Sequence, residues 1–337
     1  MSPQKKYRIA VFSAKNWVVN TFKQVNQKYN FEITYLEVIL DKKTAILANG
    51  FDAICVFVND TVNAEVLTQL HEGGVKLVAL RCAGYNNVDI KKAQELGIGV
   101  VRVPAYSPYA VAEHTAGMIL TLSRKYHKAY HRVREANFAL DGLMGFDLHQ
   151  KTVGTIGTGK IGQVFMDIMK GFGCRNIAYD KYPQKEVQQK GVEYVDLKTL
   201  YQESDIISLH CPLTPETYHL INKKGISKMK KGVMIINTSR GPLIDSKAVI
   251  KGLKDQRIGY LGVDVYEEEQ DLFFEDLSDK IIQDDVFVRL QTFPNVLITA
   301  HQAFFTKEAV FNISETTFEN IDSYMNEGSC DNMVLSK

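Results

Sequence analysis

The stretch VGTIGTGKIG, which begins at Val153 of a 337-residue chain, limits the fold more than any other part of the sequence. Gly157, Gly159 and Gly162 make a G-x-G-x-x-G turn. A strand-like run, TVGTI, precedes it. An amphipathic helix is expected after it, because Ile161, Val164, Phe165, Ile168, Met169 and Phe172 fall on one helical face. Each glycine has its own task in a turn that holds a dinucleotide. Gly157 permits the tight bend, Gly159 lets backbone approach a pyrophosphate, and Gly162 lets the helix lie close on the strand. The N–H groups and dipole of the new helix then face the phosphates. GIGVVR at Gly97 and GFGCRN at Gly171 begin alike but lack the third glycine. The motif comes late. A nucleotide-binding domain that opened the chain would carry it near its start, so other structure must come first.

Short apolar runs alternate with helical patterns on both sides of the motif. Upstream, YRIAVFS, FEITYLEV, AICVFV, KLVALRC and GVVRV read as strands and Asn16–Tyr29 as a helix, and the block closes near Pro104. Residues 110–139 read as one long helical region. From Lys151 a second series follows: TVGTIG, RNIAYD, VEYVD, IISLHC, VMIINTS, YLGVDVY and VLITAH, with Ser246–Lys254 among its helices. A last helical pattern spans 306–325, with Val310, Ile313, Thr317, Ile321 and Tyr324 on one face. Such alternation implies βαβ units and parallel sheets. The expected class is α/β, with two doubly wound parallel-sheet domains.

Composition removes several function classes. Forty Lys and Arg against 39 Asp and Glu leave a formal charge of +1, which gives no reason to expect nucleic acid or a membrane surface as partner. The basic run Arg124, Lys125, His127, Lys128, His131, Arg132 and Arg134 reads as a solvated helix face or a subunit-contact arm. His127 and His131 stand one helical turn apart, but no Cys or carboxylate joins them at ligand spacing, so no metal is expected. The cysteines Cys55, Cys82, Cys174, Cys211 and Cys330 are odd in number and form no C-x-x-C pair, which points to a reducing compartment. No run approaches the roughly 18 apolar residues of a membrane span. The opening MSPQKKYRIAVFS lacks the pattern of a signal peptide. A cytoplasmic protein is expected.

Asp180 ends the strand after the glycine turn. A carboxylate there can accept both ribose hydroxyls and would repel a 2′-phosphate, which favours NAD over NADP. Further on, INTSRGPLID, GVDVYEEE and ITAHQAF each put polar groups just past an apolar strand. Ligands of doubly wound sheets gather beyond the carboxyl ends of strands, so Arg240, Asp264, Glu269 and His301 are expected to face one crevice. The set suits reduction of a 2-keto acid. A guanidinium can grip the carboxylate with two prongs. An imidazolium can protonate the carbonyl oxygen as hydride arrives, and a carboxylate beside it would orient it and favour its charged form. Taken singly, Arg240 also fits a surface ion pair, Glu269 a solvated acidic run and His301 a structural histidine.

The blocks RCAGYNNVD (81–89), VRVPAYSPYAVAEH (101–114), VGTIGTGKIGQ, HCPLTPET (210–217), NTSRGPLID (237–245), DVYEEE (264–269) and AHQAF (300–304) span essentially the whole chain. Together they resemble the D-isomer-specific 2-hydroxyacid dehydrogenases, and within that family the NAD-dependent members that form D-lactate. The resemblance implies catalytic roles for Arg240, Glu269 and His301. It implies cofactor contacts at Gly157, Gly159, Lys160, Ile161, Gly162, Asp180, Cys211, Pro212, Thr217, Thr238, Ser239, Arg240 and Asp264. Cys82, Ala83 and Gly84 match the loop that serves the substrate carboxylate, and Tyr106 and Phe304 match residues that shape the pocket. Two departures stand out. Many members have Pro where this chain has Ala300. The triple glutamate 267–269 leaves the register of the acid open, and the D-V-Y-E-x-E pattern selects Glu269.

The same resemblance implies a flavodoxin-like catalytic domain over 1–103 and 302–337, with a Rossmann NAD-binding domain, 104–301, inserted in it. That insertion accounts for the late glycine turn. A hinged cleft between the domains is expected. The implied reaction is reversible NADH-dependent reduction of pyruvate to D-lactate, with Arg240 binding the carboxylate, His301 exchanging the proton and Glu269 supporting it. A homodimer or homotetramer is implied. The alternatives are another small 2-keto acid or, from a different class, an NADH-sensing corepressor-like scaffold, which would carry disordered tails and a peptide groove.

Overall fold

In the computed structural model, which describes residues 6–269 and 272–336, the chain divides into two units. Every strand pairing within their sheets is parallel, as βα alternation requires. One unit takes the chain up to Ser107 and again from Phe305. Its strands β1 (Arg8–Val11), β2 (Glu32–Tyr35), β3 (Ala53–Val56), β4 (Leu77–Leu80) and β5 (Gly99–Arg102) lie in the order β2-β1-β3-β4-β5. The runs AICV and LVAL are buried at every residue, as strands covered on both faces must be.

Two distant helices cover one face of this sheet: α1 (Asn16–Tyr29) and α12 (Lys307–Glu327). Phe318 meets Phe22 edge-on at 5.0 Å and stacks on Phe31 at 5.6 Å. The Thr306 hydroxyl accepts from the Ala309 N–H at 3.2 Å and starts α12, and Gly328, at φ 75°, ends it. Gly99 is glycine for a packing reason: a Cβ there would stand 2.3 Å from the Tyr324 ring. The last helix of the chain therefore completes the unit that the first strands began.

The second unit spans Pro108–Phe304. Its strands are β6 (Thr152–Ile156), β7 (Arg175–Tyr179), β8 (Glu193–Tyr194), β9 (Ile206–Leu209), β10 (Val233–Asn237), β11 (Ile258–Val263) and β12 (Val296–Ile298), in the order β12-β11-β10-β9-β6-β7-β8. The direction of winding reverses between β6 and β9, the place where such sheets open a ligand crevice. Helix α6 (Lys160–Gly171) packs on α4 (Pro108–Arg124), and Phe165 and Met169 share a buried cluster with Met118, Ile119 and Leu122. Burying one such side chain contributes about 1.5–3 kcal/mol.

One expectation is corrected. Residues 110–139 do not form a single helix. α4 ends at Arg124, Lys125 turns to φ 56°, and a second helix, α5 (Tyr126–Arg134), starts from it. A left-handed residue interrupts the i to i−4 hydrogen-bond ladder, and the basic side chains then lie on a short helix with no buried residue. Among the described residues no helix is long and apolar enough to cross a membrane.

Candidate active site

The three glycines of the turn differ in what surrounds them. Gly157 has φ 95°, and a Cβ there would meet the Cys211 nitrogen at 2.6 Å. A Cβ on Gly162 would stand 2.2 Å from the Gly157 carbonyl oxygen. Protein atoms bar a side chain at both. At Gly159 nothing lies within 4 Å of such a Cβ, so that backbone is open to a ligand. Lys160 and Ile161 follow in the first turn of α6. An open glycine between two closed ones, at a helix N-terminus, fits a pyrophosphate.

Asp180 follows β7 and its carboxylate reaches back to this turn. Oδ2 accepts from the Thr158 N–H at 2.6 Å and from its hydroxyl at 2.9 Å, while Oδ1 accepts from the Tyr182 N–H at 2.9 Å. The Tyr194 hydroxyl donates to Thr158 Oγ1 at 2.8 Å. Sequence reasoning missed Thr158 and Tyr194. Thr158 occupies a variable position of the motif, and Tyr194 lies on an edge strand far along the chain.

The loops after β9 and β10 are tied together. Ser239 Oγ donates to the Cys211 carbonyl at 2.7 Å, Thr217 Oγ1 to the Pro212 carbonyl at 2.7 Å, and Thr238 Oγ1 lies 2.8 Å from Thr115 Oγ1. Burial pushes the Cys211 thiol up to about 11, so it stays protonated. The half-buried Arg240 donates from Nη1 to the Ser239 carbonyl at 2.7 Å, and its own carbonyl accepts from Asn237 Nδ2 at 2.8 Å.

His301 is held in a left-handed conformation, φ 52°, with its N–H on the Asp264 carbonyl at 2.7 Å. Asp264 is 1% exposed, and its side chain braces the same turn. Oδ1 accepts from the Thr299 hydroxyl and from the Gln302 N–H at 2.9 Å, and Oδ2 accepts from the Ala303 N–H at 2.9 Å. His114 Nε2 stands 3.5 Å from Oδ1. Burial pushes the Asp264 carboxyl up, but the bonds from His114, Thr299 and Ala303 outweigh it and hold the group below its ordinary range. The sequence marked Asp264 as a cofactor contact; its oxygens face the turn that carries His301. These bonds, from Thr299, Gln302 and Ala303, bracket Ala300 on both sides.

Glu269 Oε1 lies 2.8 Å from His301 Nδ1, and Oε2 accepts from the Tyr266 N–H at 2.9 Å. Among the described residues Nε2 of His301 has no polar partner. Phe274 and Phe304 flank the ring, with centroids 5.6 and 6.5 Å away. Of the three consecutive glutamates it is therefore Glu269 that meets His301. Arg240 lies in the same unit, on the turn after β10.

In the other unit, residues 82–84 follow β4. Cys82 Sγ donates to the Gly84 carbonyl at 3.2 Å, and Arg102 Nη1 to the Ala83 carbonyl at 2.8 Å. Among the described residues the N–H groups of Ala83 and Gly84 have no acceptor. The Tyr106 carbonyl accepts from Asn312 Nδ2 at 2.7 Å. No group of three or more His, Cys, Asp or Glu gathers as metal ligands among the described residues.

Residues 116–303 match the family model of the D-isomer specific 2-hydroxyacid dehydrogenase NAD binding domain. Over 328 residues the chain is 56% identical to a D-lactate dehydrogenase of Escherichia coli strain K12, covering 97% of this chain and 100% of the relative. Among solved structures, the pyruvate reductase of Chlamydomonas reinhardtii superposes with a TM-score of 0.91 at 46% identity, over 96% of this chain and 97% of its own. A D-lactate dehydrogenase from Aquifex aeolicus, complexed with NAD and lactic acid, gives 0.86 at 31% identity, over 98% and 99%.

Proposed function

The chain belongs to the D-isomer-specific 2-hydroxyacid dehydrogenases, and from that premise we propose that it catalyses the reversible, NADH-dependent reduction of pyruvate to D-lactate. The observation that carries this reading is the His301–Glu269 pair, with the imidazole Nε2 left for a substrate. NADH, which the glycine turn and Asp180 would hold, would supply the hydride that the carbonyl carbon takes up. His301 gives the Nε2 proton to the carbonyl oxygen, so the ketone becomes an alcohol. Glu269 on Nδ1 fixes the ring's orientation and leaves Nε2 towards the substrate. In oxidation the neutral ring takes the proton back. Arg240 grips the carboxylate through its fork, a task a lysine would do poorly.

We assign residues 104–301 to NAD binding and 1–103 with 302–337 to substrate binding. Cys82, Ala83, Gly84, Tyr106 and Phe304 take the substrate roles, and the free N–H groups of Ala83 and Gly84 support an anion there. Gly157, Gly159, Lys160, Ile161, Gly162, Asp180, Cys211, Pro212, Thr217, Thr238, Ser239, Arg240 and Asp264 take the cofactor roles. We assign a homodimer or homotetramer, because Tyr126, Tyr130, Val133, Phe138, Leu140 and Met144 expose apolar surface in and beyond α5. Five free thiols support a cytoplasmic location.

The test is steady-state oxidation of NADH with pyruvate, glyoxylate and longer 2-keto acids, with chiral analysis of the product. Pyruvate is expected to give the highest kcat/KM and only D-lactate. His301→Gln is expected to lose nearly all turnover and still bind NADH. A preference for a longer keto acid would reassign the substrate, and no turnover with any of them would end the reading.

A further inference from the structure

The three consecutive glutamates divide their work. Glu269 meets His301 and Glu268 is exposed, while Glu267 turns to a second histidine. Its Oε1 lies 2.6 Å from His219 Nε2. The reaction described above uses neither member of this second pair.

The pair stands where three loops meet. The segment carrying His219 is stitched to the turn after Arg240. The His219 N–H donates to the Pro242 carbonyl at 2.8 Å, the Ile221 N–H to the Leu243 carbonyl at 3.0 Å, and the Asp245 N–H to the Ile221 carbonyl at 2.9 Å. Glu267 Oε2 accepts from the N–H of Ser246 at 3.3 Å, at the start of helix α10 (Ser246–Lys254), just past the same turn. At Gly241, beside Arg240, a Cβ would stand 2.0 Å from the Tyr266 carbonyl oxygen. His219 itself adopts φ 49°, a region that residues with a Cβ rarely enter. Its ring stacks on Tyr218 at 3.9 Å, and its carbonyl accepts from Asn222 Nδ2 at 2.8 Å. Both members are only half-buried, so the core does not require them.

We propose that His219 and Glu267 are a positioning pair whose hydrogen bond sets the Arg240 turn against the loop that bears Glu269. The pair fixes the separation between the guanidinium that grips the carboxylate and the imidazole that moves the proton. This rests on the roles given above to Arg240, Glu269 and His301. Neither residue touches substrate. Each acts through the backbone that carries a residue that does.

The test uses the full-length enzyme with NADH and pyruvate, in His219→Ala, Glu267→Ala, their double variant and Glu267→Gln. A misplacement of about 1 Å costs on the order of a hundredfold, so each alanine variant is expected to lose about tenfold or more in kcat/KM, chiefly through KM for pyruvate. NADH affinity and the pH limb of the reaction should stay with the parent, because the glycine turn and the His301–Glu269 pair are intact. The double variant should be no worse than either single one, since both break the same bond. Glu267→Gln keeps one oxygen for the Ser246 N–H and turns an NH2 towards His219, whose Nε2 can accept it when the imidazole is neutral, so it should recover part of the loss. Alanine variants that keep pace with the parent overturn the pair. So does an equal fall in NADH affinity, or losses that multiply in the double variant. If the alanine variants do not fold, His219→Asn, which keeps a polar group and suits the left-handed backbone but shortens the reach, must show the same rise in KM. A parent that oxidises no NADH with any 2-keto acid overturns the functional reading instead.

Discussion

Two buried aspartates, one in each unit, sit in loops just past parallel strands, and burial acts on them with opposite results. Asp60, after β3, is 0% exposed. Its Oδ1 accepts from the Ser13 hydroxyl and the Leu40 N–H, each at 2.7 Å, and Oδ2 accepts from the Phe57 N–H at 2.6 Å. Burial still outweighs these bonds and the nearby Arg81 guanidinium, and the carboxyl is held above its ordinary range. Asp264, almost as deeply buried, is held below its range by donors that include His114 and Thr299. The donors differ in where they lead. Those of Asp60 tie the loops after β1, β2 and β3 to one another. Those of Asp264, apart from His114 on α4, belong to the turn that holds His301 at φ 52°. Of the two, the carboxyl held below its ordinary range is the one whose hydrogen bonds shape the turn of His301.

The largest effect expected from this difference is on turnover. Asp264→Asn keeps the shape but gives one of its donors an amide NH2 to face, and the left-handed turn at His301 loses its brace. With the imidazole displaced by about 1 Å, kcat should fall on the order of a hundredfold, whereas Asp60→Asn should keep kcat within about threefold. Steady-state kinetics on both variants, with NADH affinity from fluorescence, makes the comparison. Unchanged kcat with lost NADH affinity in Asp264→Asn would make the residue a cofactor contact and not a brace for His301. Equal losses in both would mean that the Asp60 network also bears on the reaction.

A third aspartate extends the series towards solvent. Asp180 is half-buried and bound to backbone N–H groups and the Thr158 hydroxyl, with no cation among its hydrogen-bond partners in the described residues. It is the carboxylate of the three that is open to a ligand's hydroxyls. A hydrogen bond to a charged group contributes about 1.5–3 kcal/mol, so Asp180→Ala should shift the NADH-to-NADPH ratio of kcat/KM by roughly ten- to hundredfold towards NADPH. A parent that already uses both cofactors equally would remove Asp180 from the ribose site.

The sequence made the fold legible wherever periodicity governs structure. The helices Asn16–Tyr29 and Ser246–Lys254 and the strand runs of both sheets follow from apolar spacing alone. The break at Lys125 was hidden because its left-handed conformation is held by a lysine and no glycine marks it. At the site, the glycine turn and the polar groups past β10, β11 and β12 could be read from their positions after strands. The meeting of Glu269 with His301 depended on the D-V-Y-E-x-E pattern, because spacing does not separate three adjacent glutamates. The Asp264 brace, Thr158 with Tyr194, and the His219–Glu267 pair are hydrogen bonds between distant loops. No period in the sequence encodes such bonds.

The smallest predicted effect is a matter of sign. An aspartate in an unfolded chain titrates near ~3.9. The folded value of Asp60 is raised, so its window lies above ~3.9. Within that window the native state keeps a proton that the unfolded chain has released, and the stability Asp60 contributes falls as pH rises. The folded value of Asp264 is lowered, so its window lies below ~3.9. Its contribution is complete above that point and is lost only as pH falls further. Asparagine titrates at neither position. His210, pushed down to about 3 by burial, is present in every variant and cancels from the differences. Between about pH 4 and about pH 5, below the ordinary histidine range near ~6.5 and so clear of His114 beside Asp264, the stability of the parent relative to Asp60→Asn should therefore decline with rising pH, by no more than ~1.4 kcal/mol per pH unit, while the difference from Asp264→Asn should not decline. Urea unfolding midpoints across that span read both differences. If the Asp60 difference is flat, or climbs with pH, the two carboxylates do not differ as the comparison requires.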